Sequence, residues 1–214
     1  MSPRTSTTLS LRRALPALGA LLLAGSAFAQ GGMMGDPNPP PERKTPVDIN
    51  KVRAAVGFDQ KLGADVPLGL EFRDENGEQV RLQDYFGKLP VILTPVYYGC
   101  PMLCTQVLNG LVSSLRALGL EPGKDFQIVS FSISPTEEPA LAAEKKEKYL
   151  HSLGLPAAAE GWHFLTALPL PAGERKLAED GQPQGPGLDN IRALTKSIGF
   201  RSWFDREIGH YAHE

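Results

Sequence analysis

Between residues 90 and 198 the chain alternates short, continuous apolar runs with longer stretches in which apolar residues recur every three or four positions. Continuous β-branched runs are typical of strands buried on both faces, and the longer period indicates amphipathic helices. The predicted elements are, in order, a strand over 90–98, a helix over 103–118, a strand over 126–133, a helix over 139–152, a strand over 162–166 and a helix over 190–198. This alternation implies parallel strands joined by right-handed crossovers, with helices on both faces. The pattern therefore predicts an α/β fold.

Glycine, proline and aspartate positions mark where these elements turn or end. Asn76-Gly77 lies between two short alternating segments and predicts a β-hairpin ahead of the parallel strands, because both residues tolerate positive φ. Pro95, inside the first apolar run, predicts a bulge or the end of that strand, since proline cannot donate to a sheet. Asp189 is predicted to cap the last helix, and Gly199 lies just past its end.

The first residues have the pattern of an export signal. Residues 1–29 hold three arginines and no acidic residue, and an apolar run ends in Ala27-Phe28-Ala29. These features predict a cleaved signal peptide, although an uncleaved membrane anchor stays open as the alternative. Residues 30–46 are rich in glycine and proline and predict a flexible tether. The folded domain is predicted over 47–214, with an insertion at about 168–188 that has no periodicity.

Composition excludes several function classes. The whole chain has a net charge of −2, and the residues after the predicted signal carry 19 basic and 24 acidic side chains. A mildly acidic chain without a basic stripe is a poor partner for nucleic acid or for an anionic membrane. With 42% apolar residues and no long apolar stretch beyond the signal, the chain is expected to be globular and exported to the periplasm, or membrane-associated if the signal is retained.

Two cysteines carry the most specific chemical signal. Cys100 and Cys104 lie where the first buried strand ends and the first helix begins. Four residues apart on a helix, they would share one face at a Cα separation of about 6 Å, which a disulfide accepts. A helix N-terminus favours thiolates, and two thiolates make a soft site suited to Cu(I) or Zn(II). The spacing leaves open a redox pair, a metal site and a simple structural disulfide.

The four histidines differ in how well their predicted positions suit a third metal ligand beside the two cysteines. His151 is predicted to be a helix-end or surface residue, and His163 a core residue of the last strand. His210 and His213 are predicted to lie in a loop after the last helix. Two thiolates and one imidazole from that loop would complete a trigonal Cu(I) site that can expand for Cu(II).

Taken together, the motifs resemble the Sco/SenC family of exported copper proteins that serve cytochrome c oxidase assembly. The resemblance spans most of residues 57–214, and the YYxCPMLC stretch is its most specific part. The matching segments are GFDQKLG at 57–63, FRDENG at 72–77, VYYGCPMLC at 96–104, GKDF at 123–126, WHFLT at 162–166, GF at 199–200 and YAH at 211–213.

The resemblance implies a thioredoxin-like fold with copper, Cu(I) or Cu(II), bound by Cys100, Cys104 and His213. It implies a metallochaperone rather than an enzyme, with a thiol reductant and the cytochrome c oxidase subunit that carries a copper site (CuA) as partners. Cys100 and Cys104 would also act as a redox pair. No role is carried over to His210, where the family varies.

The chain departs from the family pattern in three places. Ser134-Pro135 stands where the family has Asp-Pro, so an acidic neighbour to the site is expected to be missing. The 168–188 stretch is the predicted insertion. The sequence ends at Glu214, ahead of the hairpin and closing helix of relatives, and His213 is therefore expected to be poorly held.

Two other functions compete with copper delivery. In a thiol–disulfide oxidoreductase, one of Cys100 and Cys104 would attack a partner's disulfide and the other would resolve the mixed intermediate. The extra residue beyond Cys-x-x-Cys and the late histidine favour metal over this alternative. A peroxiredoxin is disfavoured, because Tyr97 occupies the position that its threonine requires and Thr94 lies six residues before Cys100.

Overall fold

A computed structural model describes residues 45–100, 103–154, 156–170 and 176–213. The predicted signal peptide and residues 30–44 of the predicted tether lie outside these ranges. The helices are α1 (Ile49–Ala55), α2 (Leu103–Leu118), α3 (Pro139–Leu153) and α4 (Pro186–Ile198). The strands are β1 (Gly57–Phe58), β2 (Glu71–Arg73), β3 (Gln79–Arg81), β4 (Val91–Val96), β5 (Gln127–Ser132), β6 (Trp162–Leu165), β7 (Phe200–Arg201), β8 (Trp203–Asp205) and β9 (His210–Ala212). None of the described helices is both long enough and apolar enough to cross a bilayer.

The central sheet has the parallel order β4-β5-β6, with β5 in the middle. Its register pairs Val91 with Gln127 and Val96 with Ser132 on one side of β5, and Ile128 with Trp162 on the other. Each pair of neighbouring strands is connected by a helix, as a parallel sheet requires. The predicted α/β architecture is confirmed.

The predicted hairpin is present as β2 and β3, paired from Glu71–Arg81 to Arg73–Gln79. In its turn, one carboxylate oxygen of Asp74 accepts the backbone N–H groups of Asn76 and Glu78, both at 2.9 Å. The hairpin also reaches the end of β6, because Arg73 exchanges two backbone hydrogen bonds with Thr166 at 2.8 and 2.9 Å. The edge of the parallel sheet is thereby covered at that end.

Two apolar clusters lie in the described domain. One cluster joins α2 and α3 to the sheet, and its buried members include Tyr98, both cysteines, Leu108, Tyr149 and Trp162. The other joins the hairpin, α4 and β9 to the sheet, and its buried members include Phe72, Phe131, Ile191, Leu194 and Tyr211. This division gives each face of the sheet its own helices, as the sequence pattern predicts.

Three details differ from the prediction. Pro95 makes no bulge, because it pairs in register with Phe131; the strand ends one residue later, at Val96, close to the predicted alternative. The strand is not buried on both faces throughout, since Ile92 is 38% exposed. Asp189 does not cap α4, which begins three residues earlier at Pro186, where a proline ring fits the first helical position.

Candidate metal centre

Cys100 lies in the turn that follows β4. Its backbone N–H donates to the carbonyl of Tyr97 at 3.0 Å, which closes the turn directly after the strand. The side chain is 4% exposed and belongs to the cluster under α2 and α3. The end of a central strand therefore places this thiol in a buried, fixed position.

Cys104 lies in the first turn of α2 and is equally buried. The backbone N–H of Tyr97 points at its Sγ from 3.0 Å. This donor is preorganised to stabilise a thiolate, because a hydrogen bond to the charged form favours that form. Both cysteines are free thiols in this structure.

His213 directly follows β9 and reaches the cysteines across the molecule. Its Nε2 lies 3.3 Å from Sγ of Cys104, and its half-buried ring lies 6.4 Å from the ring of Phe200. The ligand atoms of His213, Cys100 and Cys104 all lie within 4.8 Å of one another. The expectation that His213 would be poorly held is wrong for this structure, because the β8–β9 hairpin carries it to the site.

The other histidines lie apart from this cluster. His210 is predicted to lie in a loop but is the first residue of β9. Its ring packs edge-on against the ring of Tyr97 at 5.3 Å. His163 is half-buried, and its ring packs at a tilt against the ring of Tyr85, with centroids 4.4 Å apart; burial lowers the pKa of His163. His151 is exposed in the last turn of α3. The structure therefore brings together the three predicted ligands and leaves these histidines outside.

Glu137 is a buried acid that sequence reasoning missed. Its carboxylate accepts the backbone N–H of Tyr98 at 3.0 Å, that of Gly99 at 2.5 Å and the hydroxyl of Ser132 at 2.5 Å. The expectation of a missing acidic neighbour is therefore wrong: Glu137, three residues after Ser134, binds the turn that carries Cys100. No motif marks it, because its partners Tyr98 and Gly99 lie almost forty residues away in the chain.

Burial governs the ionisation of the site. It raises the pKa of the Cys104 thiol to about 12, and the Tyr97 N–H only partly offsets this effect. Burial likewise raises the pKa of the Glu137 carboxyl against the effect of its three hydrogen bonds. Burial therefore opposes the tendency of a helix N-terminus to favour the thiolate form of Cys104.

Two sulfur atoms and one imidazole nitrogen form a soft donor set in a site from which water is largely excluded. The fold and this cluster define an α/β protein with a Cys-Cys-His centre that could hold a metal ion.

Comparison with solved structures agrees with this description. The chain is similar to a candidate electron transfer protein from Aquifex aeolicus VF5, at 21% identity and a TM-score of 0.51, over 72% of this chain and 85% of that one. Sco/SenC proteins also stand among the similar structures. One is a SCO1/SenC family lipoprotein from Bacillus anthracis str. Ames (18% identity, TM-score 0.46, 73% of this chain and 77% of that one). Another is ScoI from Bradyrhizobium japonicum with copper bound (18%, 0.39, 69% and 87%).

No family model matches the sequence, and no curated protein matches it.

Proposed function

We propose that this chain is an exported copper-binding metallochaperone that supplies the copper site of cytochrome c oxidase. The observation that carries the proposal is the convergence of Cys100, Cys104 and His213 within 4.8 Å. Export rests on the predicted signal peptide, and the receiving oxidase subunit rests on the resemblance to the Sco/SenC family.

The donor set fits copper as the cargo. Thiolates are preferred ligands of Cu(I), and an added imidazole suits both Cu(I) and Cu(II). The Tyr97 N–H that already points at Cys104 would remain as a hydrogen bond to the bound thiolate and help to orient it. Neither the buried thiols nor the imidazole is a good donor for Mg²⁺ or Ca²⁺, which prefer oxygen.

The solvent exposure of the three ligands indicates from which side a partner protein would take up copper. Both cysteines are buried, whereas His213 is half-buried at the end of a short hairpin. The imidazole is therefore the ligand that a partner protein can reach and replace first. Copper would pass to the partner by exchange of ligands, and the two sulfur atoms would release it last.

Thiol–disulfide exchange is the weaker alternative. An attacking cysteine must be a thiolate, and burial holds the pKa of Cys104 at about 12. Cys104 is thus a poor nucleophile near neutral pH. Cys100 is buried as well, at 4% exposure, so a partner's disulfide has little access to either sulfur. A chain with both activities would bind copper more weakly but keep reductase activity in a His213→Ala variant.

A competitive Cu(I) titration of the reduced protein against a chromophoric chelator tests the proposal. We expect one copper per chain, loss of binding in Cys100→Ser and Cys104→Ser, and weaker binding in His213→Ala. His151→Ala is the matched control, because it removes an exposed histidine distant in sequence from the site and should bind like the native chain. Native protein that binds no copper in competition with the chelator would contradict the proposal.

A further inference from the structure

Residues 176–185, here called the 176–185 loop, form a compact unit within the predicted insertion. Leu177 and Pro183 form an antiparallel bridge, and Gln184 donates its backbone N–H to Lys176 at 2.8 Å. A second backbone hydrogen bond, from Gly181 to Ala178, closes the tip at 2.8 Å. The loop thus has a defined backbone of its own.

A chain of side-chain contacts links this loop to both α4 and β9. Gln182, which is 7% exposed, accepts the hydroxyl proton of Tyr211 at 2.5 Å and donates to Asp180 at 2.9 Å. The Asp180 carboxylate in turn pairs with Arg192 of α4 at 2.6 Å. The contacts therefore run from a long, well-packed helix through the loop to the strand that precedes His213.

The loop also packs against the turn between β8 and β9. A Cβ atom placed on Gly181 would lie 2.7 Å from the side chain of Arg206. The backbone of the loop therefore packs closely against that side chain. The β8–β9 hairpin needs such support, because its strands have three residues each and a lone two-stranded hairpin is marginally stable in water.

Tyr211 connects the loop to the candidate metal centre. It lies two residues before His213, and its ring packs edge-on against Tyr97 at 5.2 Å. Tyr97 is the residue whose backbone N–H points at Cys104. One side of Tyr211 is therefore fixed by the centre. Its hydroxyl donates to Gln182 of the 176–185 loop and also interacts with Ser134.

We propose that the 176–185 loop positions His213 for metal binding, with Gln182 and Tyr211 as the positioning residues. This inference rests on the proposed function, since it assigns the loop a part in building the copper site. The loop holds the hydroxyl of Tyr211, which sets the hairpin against the first turn of α2 and presents the imidazole to the two thiols. Without that hydrogen bond the hairpin shifts and the imidazole contributes less to binding.

A double-mutant cycle on Cu(I) affinity tests this role. Tyr211→Phe keeps the ring and removes only the hydroxyl. We expect this variant and Gln182→Ala each to lower the Cu(I) affinity about tenfold. In a His213→Ala background the same changes should have no further effect, because they act through the imidazole. Gln184→Ala, in the same loop but exposed, is the control and should bind normally. Unchanged affinity, or equal losses with and without His213, would overturn the proposal.

A second measurement needs no copper and distinguishes failure of the proposed function from failure of the positioning role of the loop. Modification of His213 by diethyl pyrocarbonate in the metal-free protein, followed by peptide mass spectrometry, reports how well the imidazole is held. We expect the rate to rise severalfold in Tyr211→Phe and Gln182→Ala, with exposed His151 unchanged as an internal reference. An unchanged rate at His213 would overturn the role of the loop. If the native protein binds no copper while this rate still responds, the proposed function fails and the positioning role stands.

Discussion

At the scale of single residues, Glu137 accounts for the geometry of the turn that carries Cys100. Two consecutive amides, those of Tyr98 and Gly99, donate to one buried carboxylate, which also accepts the hydroxyl of Ser132. A polar group at 7% exposure needs such partners, since a buried group without them is costly. The carboxylate therefore determines where β4 ends and where the first thiol lies.

Replacing Glu137 by Gln should destabilise the protein. The amide retains one acceptor oxygen, but its NH₂ group cannot accept, so a buried backbone N–H or the Ser132 hydroxyl loses its partner. We expect a loss of about 1–3 kcal/mol in the free energy of unfolding, measured by urea denaturation. Glu138→Gln is the control, because its side chain is 68% exposed and its pairing with Arg73 contributes little. Equal stability of the two variants would contradict this role for Glu137.

The raised pKa of Cys104 gives copper affinity a defined pH dependence. With the pKa at about 12, this thiol keeps its proton throughout pH 6–8 and must release it when a metal binds. Rising pH therefore favours binding, by about tenfold per pH unit for this proton alone. Competitive titrations between pH 6 and 8, corrected for protonation of the chelator, measure this slope. An affinity that does not change over this range would show that Cys104 is already ionised or is not a ligand.

At the scale of elements, α3 and α4 both end on a glycine in the left-handed conformation, but only one of these glycines is in close contact. Gly154 has a φ of +73° and open space around it, whereas Gly199 has a φ of +78°. A Cβ at Gly199 would lie 1.9 Å from the carbonyl oxygen of Asp59. The Gly199 carbonyl also accepts the N–H of Asp59 at 2.8 Å, which fixes β1 beside α4.

These two caps make a matched pair of alanine substitutions. Gly154→Ala should cost about 1–2 kcal/mol, which is the conformational penalty of a left-handed alanine. Gly199→Ala should cost more, because the added methyl group also forces β1 away from the helix end. Urea denaturation of both variants measures the difference. Equal losses would mean that the contact with Asp59 relaxes without cost.

The elements that the sequence predicts well are those defined by local patterns. Apolar periodicity and the terminal glycines predict α2, α3 and the end of α4, and Asn76-Gly77 predicts the hairpin, because these signals act within a few residues. The start of α4 is wrong by four residues, since Gly185-Pro186 competes with Asp189 as the starting signal. His210 looks like a loop residue in the sequence because β8 and β9 are too short to show a period, whereas His213 lies outside the strands, as predicted.

The candidate site follows the same rule. The cysteine pair is visible in the sequence, and the resemblance of the motifs adds His213. The roles of Glu137 and Gln182 are not predictable from the sequence, because each depends on a distant partner that only the fold brings near. Glu137 binds Tyr98, 39 residues away, and Gln182 binds Tyr211, 29 residues away. Polar side chains in segments without periodicity look like surface residues until those partners are known.

At the scale of the whole molecule, the three candidate ligands belong to three separate parts of the chain. Cys100 follows β4, Cys104 begins α2 and His213 follows the β8–β9 hairpin. A ligand that binds only the folded state stabilises it by mass action. A metal held by all three residues would in addition link the two apolar clusters, because the cysteines belong to one cluster and Tyr211 of β9 to the other.

Copper should therefore stabilise the protein as a whole and protect β9 from hydrogen exchange as strongly as the start of α2. At a free Cu(I) concentration 100 times the Kd, the expected gain in unfolding free energy is about 2.7 kcal/mol, measured by anaerobic urea denaturation. Hydrogen exchange followed by mass spectrometry should show slower exchange in peptides that cover β9 and the first turn of α2. Peptides of the β2–β3 hairpin, which contributes no candidate ligand, should change only in proportion to global stability. In Cys104→Ser the gain in unfolding free energy and the slower exchange should both disappear. In His213→Ala the protection of β9 should be lost, whereas the first turn of α2 should keep more of its protection. Protection confined to the cysteine peptides of the native protein would mean that copper is held by the thiols alone and that the hairpin takes no part in the centre.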